Sequence, residues 1–236
     1  MKIEMSETIT IKDTLFELRT HPLRKNIAVG MTLEGKYFVS APSSISKEQI
    51  INTIEDKIRE IIKDLEAKTA GKLEKPYSYS EGELFLFKGI YYPLTYDKTS
   101  THKFIKFTGN EFVLSAKTKN DFQSLFENFY TRKLKEELNS ILPKWSEITG
   151  VTPNKISIKN AKRLWGSCSS KKNITFSTRL ALVPQRQMEY VIVHELCHIK
   201  EMNHSKLFWE EVAKYIPDYK EQRNELKQHT HKYKWW

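Results

Sequence analysis

A pair of histidines inside an apolar segment is the strongest constraint on how this chain folds. His194 and His198 stand four residues apart with Glu195 between them, in a segment, 185–202, that is apolar on nearly every side. On an α-helix, residues four apart lie on one face about 6 Å apart along the axis, so both imidazoles can converge on one ion. Burying two histidines and a carboxylate without partners is costly, and a bound cation satisfies all three. The pattern therefore predicts a buried helix that presents a metal site.

The same five residues form the HExxH arrangement that zinc hydrolases use. Imidazole nitrogens bind zinc at roughly 2.0–2.1 Å, and a histidine pair at this spacing supplies two ligands. Glu195 points beside the metal, where it can accept a proton from a zinc-bound water. The sequence thus predicts Zn²⁺ as the cofactor, His194 and His198 as ligands, and Glu195 as the catalytic base.

A third ligand is expected shortly after this helix. His204 follows the second histidine by six residues, and a continuous helix would turn it roughly 120° away, so the helix is expected to end first. Asn203 suits the left-handed conformation that closes a helix, and Ser205 suits the N-cap of the next one. His204 at this corner is the predicted ligand. Glu210 or Glu211 on the following helix is the alternative.

The composition is that of an ordinary water-soluble protein, with 39% hydrophobic and 29% charged residues among 236. No apolar run is long enough to span a bilayer and the N-terminus has no signal-peptide pattern, so a cytoplasmic location without membrane contact is expected. Cys168 and Cys197 are too few for a disulfide scaffold. Cys197 is expected to be a small buried thiol. For Cys168, packing, a redox-sensitive thiol and an additional metal ligand all stay open.

The net charge of +10 raises the question of a nucleic-acid partner. Most lysines alternate with glutamates along the chain, which is typical of solvated faces. The basic and aromatic tail at 229–236 is the one dense patch. It is expected either to contact a partner or to dock on its own domain through Trp235 and Trp236.

Residues 1–117 are predicted to form a β-rich N-terminal region with one long helix. The helix is expected to start with a capping box of Ser46 and Gln49 and to end at Gly71, before a linker at 72–80. Strands are expected at 8–19, 26–40, 83–88, 90–96, 103–108 and 111–116. This region contains no concentration of metal-ligating residue types, so a scaffold or substrate-positioning role is expected.

Residues 118–236 are predicted to form the catalytic domain. A helix with an aromatic stripe starts at Asn120 and is expected to end near Pro143, and strands are expected at 155–158 and 173–182. Helix, strands, metal helix, turn and helix is the order that a zincin domain requires. The fold class predicted from this order is α+β and zincin-like.

The strand before the metal helix is expected to form the rim of the cleft and to bind an extended substrate by strand addition. The residues assigned to this edge are Ile174, Thr175, Phe176, Ser177 and Thr178. The alternative is an interior strand, which has no free backbone groups to offer.

Several short segments carry a family resemblance. They are 163–170 (RLWGSCSS), 173–176 (NITF), 180–184 (LALVP), 190–198 (YVIVHELCH) and 203–209 (NHSKLFW). In this order and spacing they resemble the YgjP-like metallopeptidases, a bacterial and archaeal family of predicted zinc-dependent hydrolases. The resemblance implies zinc ligands at His194, His198 and His204 and a catalytic base at Glu195. Wider relatives include SprT-like proteases, some of which act on proteins attached to DNA.

These observations lead to the hypothesis of a zinc metallopeptidase that acts on a peptide or protein. Arg163, which leads the Trp-Gly-Ser-Cys segment, is the candidate for stabilising the transition state, with a purely structural arginine as the alternative. Two other classes stay open. One is a nucleic-acid-associated protein, and the other is a metal-stabilised domain without turnover, which a fourth protein ligand such as Cys168 would indicate.

Overall fold

The computed structural model of the chain describes residues 7–21, 25–32, 35–70, 77–116 and 118–236. The fold is α+β, with helices and mixed sheets, as the order of sequence patterns predicts. The chain divides into a first unit, Met1–Leu86 with Ile90–Lys117, and a second unit, Phe87–Gly89 with Thr118–Trp236. Within the described ranges, no helix combines the length and the apolar character that a membrane crossing requires.

The first unit begins with a mixed sheet that packs against helices. Its strands are β1 (Glu7–Ile11), β2 (Thr14–His21), β3 (Ala28–Met31) and β4 (Tyr37–Pro42), in the order β1-β2-β4-β3. The helices are α1 (Lys47–Ile54) and α2 (Ile58–Ala70), joined by a 3-10 turn at Glu55–Lys57. Alternate inward residues of the strands and the isoleucine stripe of the helices form the core, including Phe16, Val39, Ile50 and Ile58.

The predicted capping box is present at the start of α1. The hydroxyl of Ser46 accepts from the Gln49 backbone N–H at 3.2 Å, and the Gln49 side chain accepts from the Ser46 N–H at 2.8 Å. Two otherwise unpaired donors of the first turn are satisfied in this way. Gly71, where the helix was expected to end, lies outside the described residues.

A second mixed sheet completes the first unit. It contains β5 (Leu84–Phe87), β6 (Ile90–Tyr96), β7 (Phe104–Phe107) and β8 (Phe112–Ser115), in the order β5-β6-β8-β7. All four strands lie where the sequence predicts them. The linker expected at 72–80 is only partly described, and its described end is core, because Tyr77 and Tyr79 are buried and Tyr77 stacks on Phe85 at 4.4 Å.

The second unit contains four helices and a small sheet. Its elements are α3 (Lys119–Thr149), β9 (Lys155–Lys159), β10 (Gly166–Cys168), β11 (Asn173–Ser177), α4 (Gln185–Cys197), α5 (Lys206–Tyr215) and α6 (Tyr219–His229). Short 3-10 helices at Thr178–Ala181 and Thr230–Lys232 precede α4 and follow α6. The strand order is β10-β11-β9.

The prediction that α3 ends near Pro143 is wrong. The helix continues to Thr149 and ends at Gly150, whose φ of 69° is the left-handed conformation of a helix C-cap. Proline removes one backbone donor from a helix interior. Here Ile141 and Trp145, four residues apart on either side of the proline, are both buried, and this packing keeps the helix intact.

The prediction of an edge strand before the metal helix is also wrong. The central strand of the sheet is β11, which pairs in parallel with β9 (Ile174 opposite Ile156) and antiparallel with β10 (Thr175 opposite Ser167). Both of its backbone edges are used. Phe176 and Ser177 are buried as well, and Thr178 belongs to the 3-10 helix that follows. An interior strand, the alternative reading of the sequence, is what the structure contains.

The C-terminal tail docks on its own unit, through the buried side chain of Arg179. The guanidinium donates to the backbone carbonyls of Tyr233, Lys162 and Thr230 at 2.7–2.8 Å. It also lies 4.4 Å from the ring of Trp165. Trp235, which is 1% exposed, packs on Tyr130 of α3. Of the two roles expected for the tail, docking is the one that the contacts support.

Candidate metal centre

The metal helix is α4, and it ends sooner than the apolar pattern predicts. Its last residue is Cys197, and His198 is the C-cap. The following amides fold back by three residues, with Ile199 N–H donating to Leu196 at 3.0 Å and Lys200 N–H donating to Cys197 at 3.0 Å. This tightened turn reverses the chain before His204.

The corner after α4 forms without a left-handed residue, so the prediction for Asn203 is wrong. Asn203 is not among the residues with positive φ. The chain turns without a residue of positive φ, and the Glu201 carbonyl oxygen lies next to the imidazole of His198. Ser205 is the N-cap of α5, as predicted, with its hydroxyl accepting from the Phe208 N–H at 3.3 Å.

Three imidazole nitrogens converge at this corner. The Nε2 atoms of His194 and His198 are 3.2 Å apart, and those of His204 and His194 are 3.1 Å apart. One ligand atom from each of the three residues lies within 4.8 Å of the others. The structure therefore brings His204 to the pair on α4, in an arrangement that can hold a metal ion.

The surroundings favour the neutral, ligating form of the imidazoles. Burial lowers the pKa of His194 to about 3, and burial also lowers the pKa of His198. Nδ1 of His198 lies 3.1 Å from the Glu201 carbonyl oxygen. A proton donated there leaves Nε2 with its lone pair, which is how metal-binding histidines are usually oriented.

Two aromatic rings from α5 hold the imidazoles in place. Phe208 stacks on His198 with ring centroids 4.4 Å apart, and Trp209 stacks on His204 at 5.4 Å. Both rings lie in the first turn of α5, so the cap at Ser205 also positions them. The sequence resemblance includes these two residues, but only the structure shows that they contact the ligands.

Glu210 and Glu211, the alternatives to His204 as third ligand, contact lysine side chains instead of the histidine cluster. Glu211 accepts from Lys200 and Lys214 at 2.6 Å each and from the Tyr215 hydroxyl at 2.9 Å. These hydrogen bonds lower the pKa of Glu211 to about 2. Glu210 lies 3.6 Å from the ammonium of Lys206 at the surface. Neither carboxylate belongs to the histidine cluster.

Glu195 is buried beside the cluster, in space that a glycine provides. The side chain is 4% exposed, and its Oε2 has no hydrogen-bond partner among the described residues. Burial raises the pKa of Glu195 to about 8. A Cβ added to Gly166 of β10 would lie 2.6 Å from Oε1 of this carboxylate. The absence of a side chain at Gly166 therefore leaves the space in which the Glu195 carboxylate lies.

A cavity of about 330 Å³ opens in front of Glu195. We call it the site cavity; it is lined by α4, by the segment leading into β10, and by α6. The residues used below are Leu164, Trp165, Tyr190, Arg223, Leu226 and Lys227, together with His194, Glu195 and Gly166. Its walls are mostly apolar, as is common in small-molecule and side-chain pockets.

Comparison with known proteins identifies the family. The family model for the YgjP-like metallopeptidase domain matches residues 25–229. The chain belongs to the YgjP-like metallopeptidase family. The resemblance seen in the sequence is thereby confirmed, and the α+β fold with its β-rich N-terminal region is that of a zincin-like metallopeptidase. A metal ion and a peptide or protein substrate follow as general properties of such a domain.

One solved structure is similar to part of this YgjP-like chain. It is the metallopeptidase zymogen of Pyrococcus abyssi abylysin, with 27% sequence identity over 39% of this chain and 92% of that one, and a TM-score of 0.36. No curated protein matches this YgjP-like chain.

Arg163, which the sequence predicts to stabilise the transition state, does not line the site cavity of this YgjP-like domain. Its side chain is exposed, and the cavity lining includes the next residue, Leu164, but not Arg163. The arginine that lines the site cavity is Arg223 of α6. Sequence reasoning missed it because a single arginine on an exposed helix, 28 residues after Glu195, carries no local signal.

The two cysteines of the YgjP-like domain differ in their surroundings. Cys197 is 1% exposed, which confirms the prediction of a small buried thiol. Cys168 is half-buried at the end of β10, and burial, together with the charge of Glu195, raises the pKa of its thiol. Cys168 is not part of the histidine cluster found in the described part of the chain.

Proposed function

We propose that this YgjP-like protein is a zinc-dependent peptidase in which His194, His198 and His204 hold the ion and Glu195 is the general base. The observation that carries the proposal is the convergence of three imidazole nitrogens beside a buried carboxylate that faces a cavity.

The donor set fits zinc. Bonds of roughly 2.0–2.1 Å in a tetrahedral site place neighbouring nitrogens about 3.3 Å apart. The observed separations of 3.2 and 3.1 Å agree with that requirement. His194 also has a buried Nδ1 without a partner among the described residues, so a cation at Nε2 offsets part of the cost of burying this ring.

Three protein ligands favour a catalytic site over a structural one. Structural zinc sites are closed by four protein ligands, whereas catalytic sites leave one position for water or substrate. The described residues supply three histidines and no cysteine or carboxylate to the cluster. This argues against a metal-stabilised domain without turnover.

Zinc would supply Lewis-acid activation of a water molecule and of the scissile carbonyl. Glu195 would accept the proton of the attacking water and pass it to the leaving amine. Its Oε2 is suited to accepting a proton because no other described residue forms a hydrogen bond with it. Gly166 leaves room for the carboxylate at the wall of the site cavity, where the substrate would lie.

The proposal is tested with Glu195→Gln, because this change keeps the shape of the side chain and removes its basicity. The variant is expected to bind close to one equivalent of zinc and to lose turnover on an unstructured protein such as casein. Glu189→Gln is the matched control, since Glu189 is on the same helix but bonds Gln185 at the surface. Wild-type turnover in Glu195→Gln would exclude the mechanism.

The third ligand is tested separately with His204→Ala. This variant is expected to lose most of its zinc affinity, measured by competition with a fluorescent chelator. Unchanged affinity would remove His204 from the ligand set.

A further inference from the structure

The site cavity has two cations on one side. Arg223 and Lys227 are four residues apart on α6, so they project from the same face of that helix, and both line the cavity. The described residues provide neither of them with a hydrogen-bonded or salt-bridged carboxylate. Nearby cations differ, since Arg186 pairs with Asp218 and Lys214 pairs with Glu211.

Among the described residues that line the cavity, Glu195 is the only acidic one. The proposed function reserves that carboxylate for the proton of the attacking water. A negatively charged group from the substrate would therefore meet two cations that no carboxylate of the described residues bonds.

The rest of the lining is apolar. Trp165 and Leu226 lie along the walls, and Leu164 is 60% exposed at the protein surface. A volume of about 330 Å³ is at the small end of ligand pockets, sufficient for one amino-acid residue. The best fit is a short aliphatic group that ends in an anion.

We propose that the site cavity binds a carboxylate of the substrate, held by Arg223 and Lys227, close to the bond that is cleaved. This inference rests on the proposed peptidase function and specifies its substrate class. An acidic side chain and the free C-terminal carboxylate of a short peptide both offer this group. Arg223 can receive it through two parallel hydrogen bonds, and Lys227 adds a point charge.

The test uses two pairs of quenched fluorogenic peptides and the zinc-loaded full chain. The peptides of the first pair have blocked ends and differ only in the residue after the cleaved bond, which is Glu in one and Gln in the other. Mass spectrometry of the products locates the cleaved bond. The second pair is short and differs only in a free or amidated C-terminus. A charge-assisted hydrogen bond predicts a preference of at least about tenfold in kcat/KM for the charged member of one pair. Which pair shows the preference identifies the source of the carboxylate.

Variants tie that preference to the two cations. Arg223→Gln with Lys227→Gln is expected to bring the ratio within each pair close to one, and Arg223→Lys is expected to restore part of it. Lys220→Gln is the matched control, because Lys220 is on the same helix but does not line the site cavity. Circular dichroism melting checks that each variant is folded. Charged and neutral peptides cleaved equally by the wild type, or a preference unchanged in the double variant, would overturn the inference.

A binding measurement separates this inference from the proposed function. Absence of cleavage of all four peptides would contradict the peptidase activity. Fluorescence anisotropy of the same peptides with zinc-loaded protein would then decide the inference alone. Tighter binding of a charged peptide that is lost in the double variant supports it, and equal binding of charged and neutral peptides rejects it.

Discussion

The two units of the chain differ in what they bury. In the described part of the first unit, the buried polar side chains are those of Thr32, Ser40 and Ser115, apart from the buried tyrosines. In the second unit, the buried side chains include Arg179, Glu195 and His198. Burying ionisable groups costs free energy unless each has a partner. The buried side chains of the described first unit thus carry no charge, whereas those of the second unit include an arginine, a carboxylate and an imidazole.

A core substitution in the first unit is the first test of the difference between the two units. Phe16 is completely buried in the sheet and helix core, so Phe16→Ala is expected to lower the free energy of unfolding of the first unit by about 3–5 kcal/mol. Urea denaturation measures this change. Zinc affinity is expected to stay at the wild-type value, and a parallel loss of zinc binding would show that the two units are not energetically separate.

The second test changes the glycine beside Glu195. Gly166→Val places side-chain atoms where the carboxylate now lies and displaces it, which is expected to lower kcat/KM by about 100-fold, the cost of misplacing a catalytic group by roughly 1 Å. Zinc content is expected to be unchanged. Gly109→Ala, at a positive-φ turn of the first unit, is the control and is expected to affect only the melting temperature.

The third test uses the metal ion. Zinc at 100 times its dissociation constant is expected to stabilise the second unit by about 2.7 kcal/mol, because it binds only the folded form. Amide hydrogen exchange, compared between the metal-free protein and the protein with added zinc, measures this stabilisation separately for each region of the chain. Amides of α4 are expected to exchange more slowly with zinc and those of β2 and β4 at the same rate. An equal decrease of amide exchange rates in both units would contradict the expectation that zinc stabilises only the second unit.

The smallest effect is expected at the capping box. Ser46→Ala removes the acceptor for the Gln49 N–H and is expected to destabilise the first unit by about 1 kcal/mol. Ser205→Ala at the start of α5 is its counterpart in the second unit. That variant is expected to weaken zinc binding as well, because the same turn carries the rings that stack on His198 and His204.

The sequence predicted best those features that depend on neighbours along the chain. The histidine spacing, the caps at Ser46 and Ser205 and the strands of the second sheet are of this kind. The strand β10 was missed because its three residues, Gly166–Cys168, have little intrinsic strand preference and are held by pairing with β11. That pairing also made β11 an interior strand.

The other wrong or missing predictions also concern features that depend on tertiary packing. Pro143 is a strong local signal for the end of a helix, and the burial of residues on either side of it outweighs that signal. Arg223 reaches the site cavity only because α6 packs against α4, which no spacing in the sequence encodes. Local patterns therefore identified the proposed ligands and base, but the residues that shape the substrate's surroundings depend on tertiary packing.

The hydrogen bonds of the buried Arg179 side chain affect when the site cavity can be completed during protein synthesis. Two of its hydrogen bonds are made to carbonyls of Thr230 and Tyr233, which follow the four α-helices of the second unit along the chain. Until those residues leave the ribosome, the guanidinium has too few acceptors to be buried, and Trp165 lacks the contact that holds it in the cavity wall. The histidine corner can thus assemble on a nascent chain before the site cavity does. The residues proposed to hold the metal ion are therefore synthesised before those that complete the wall of the site cavity.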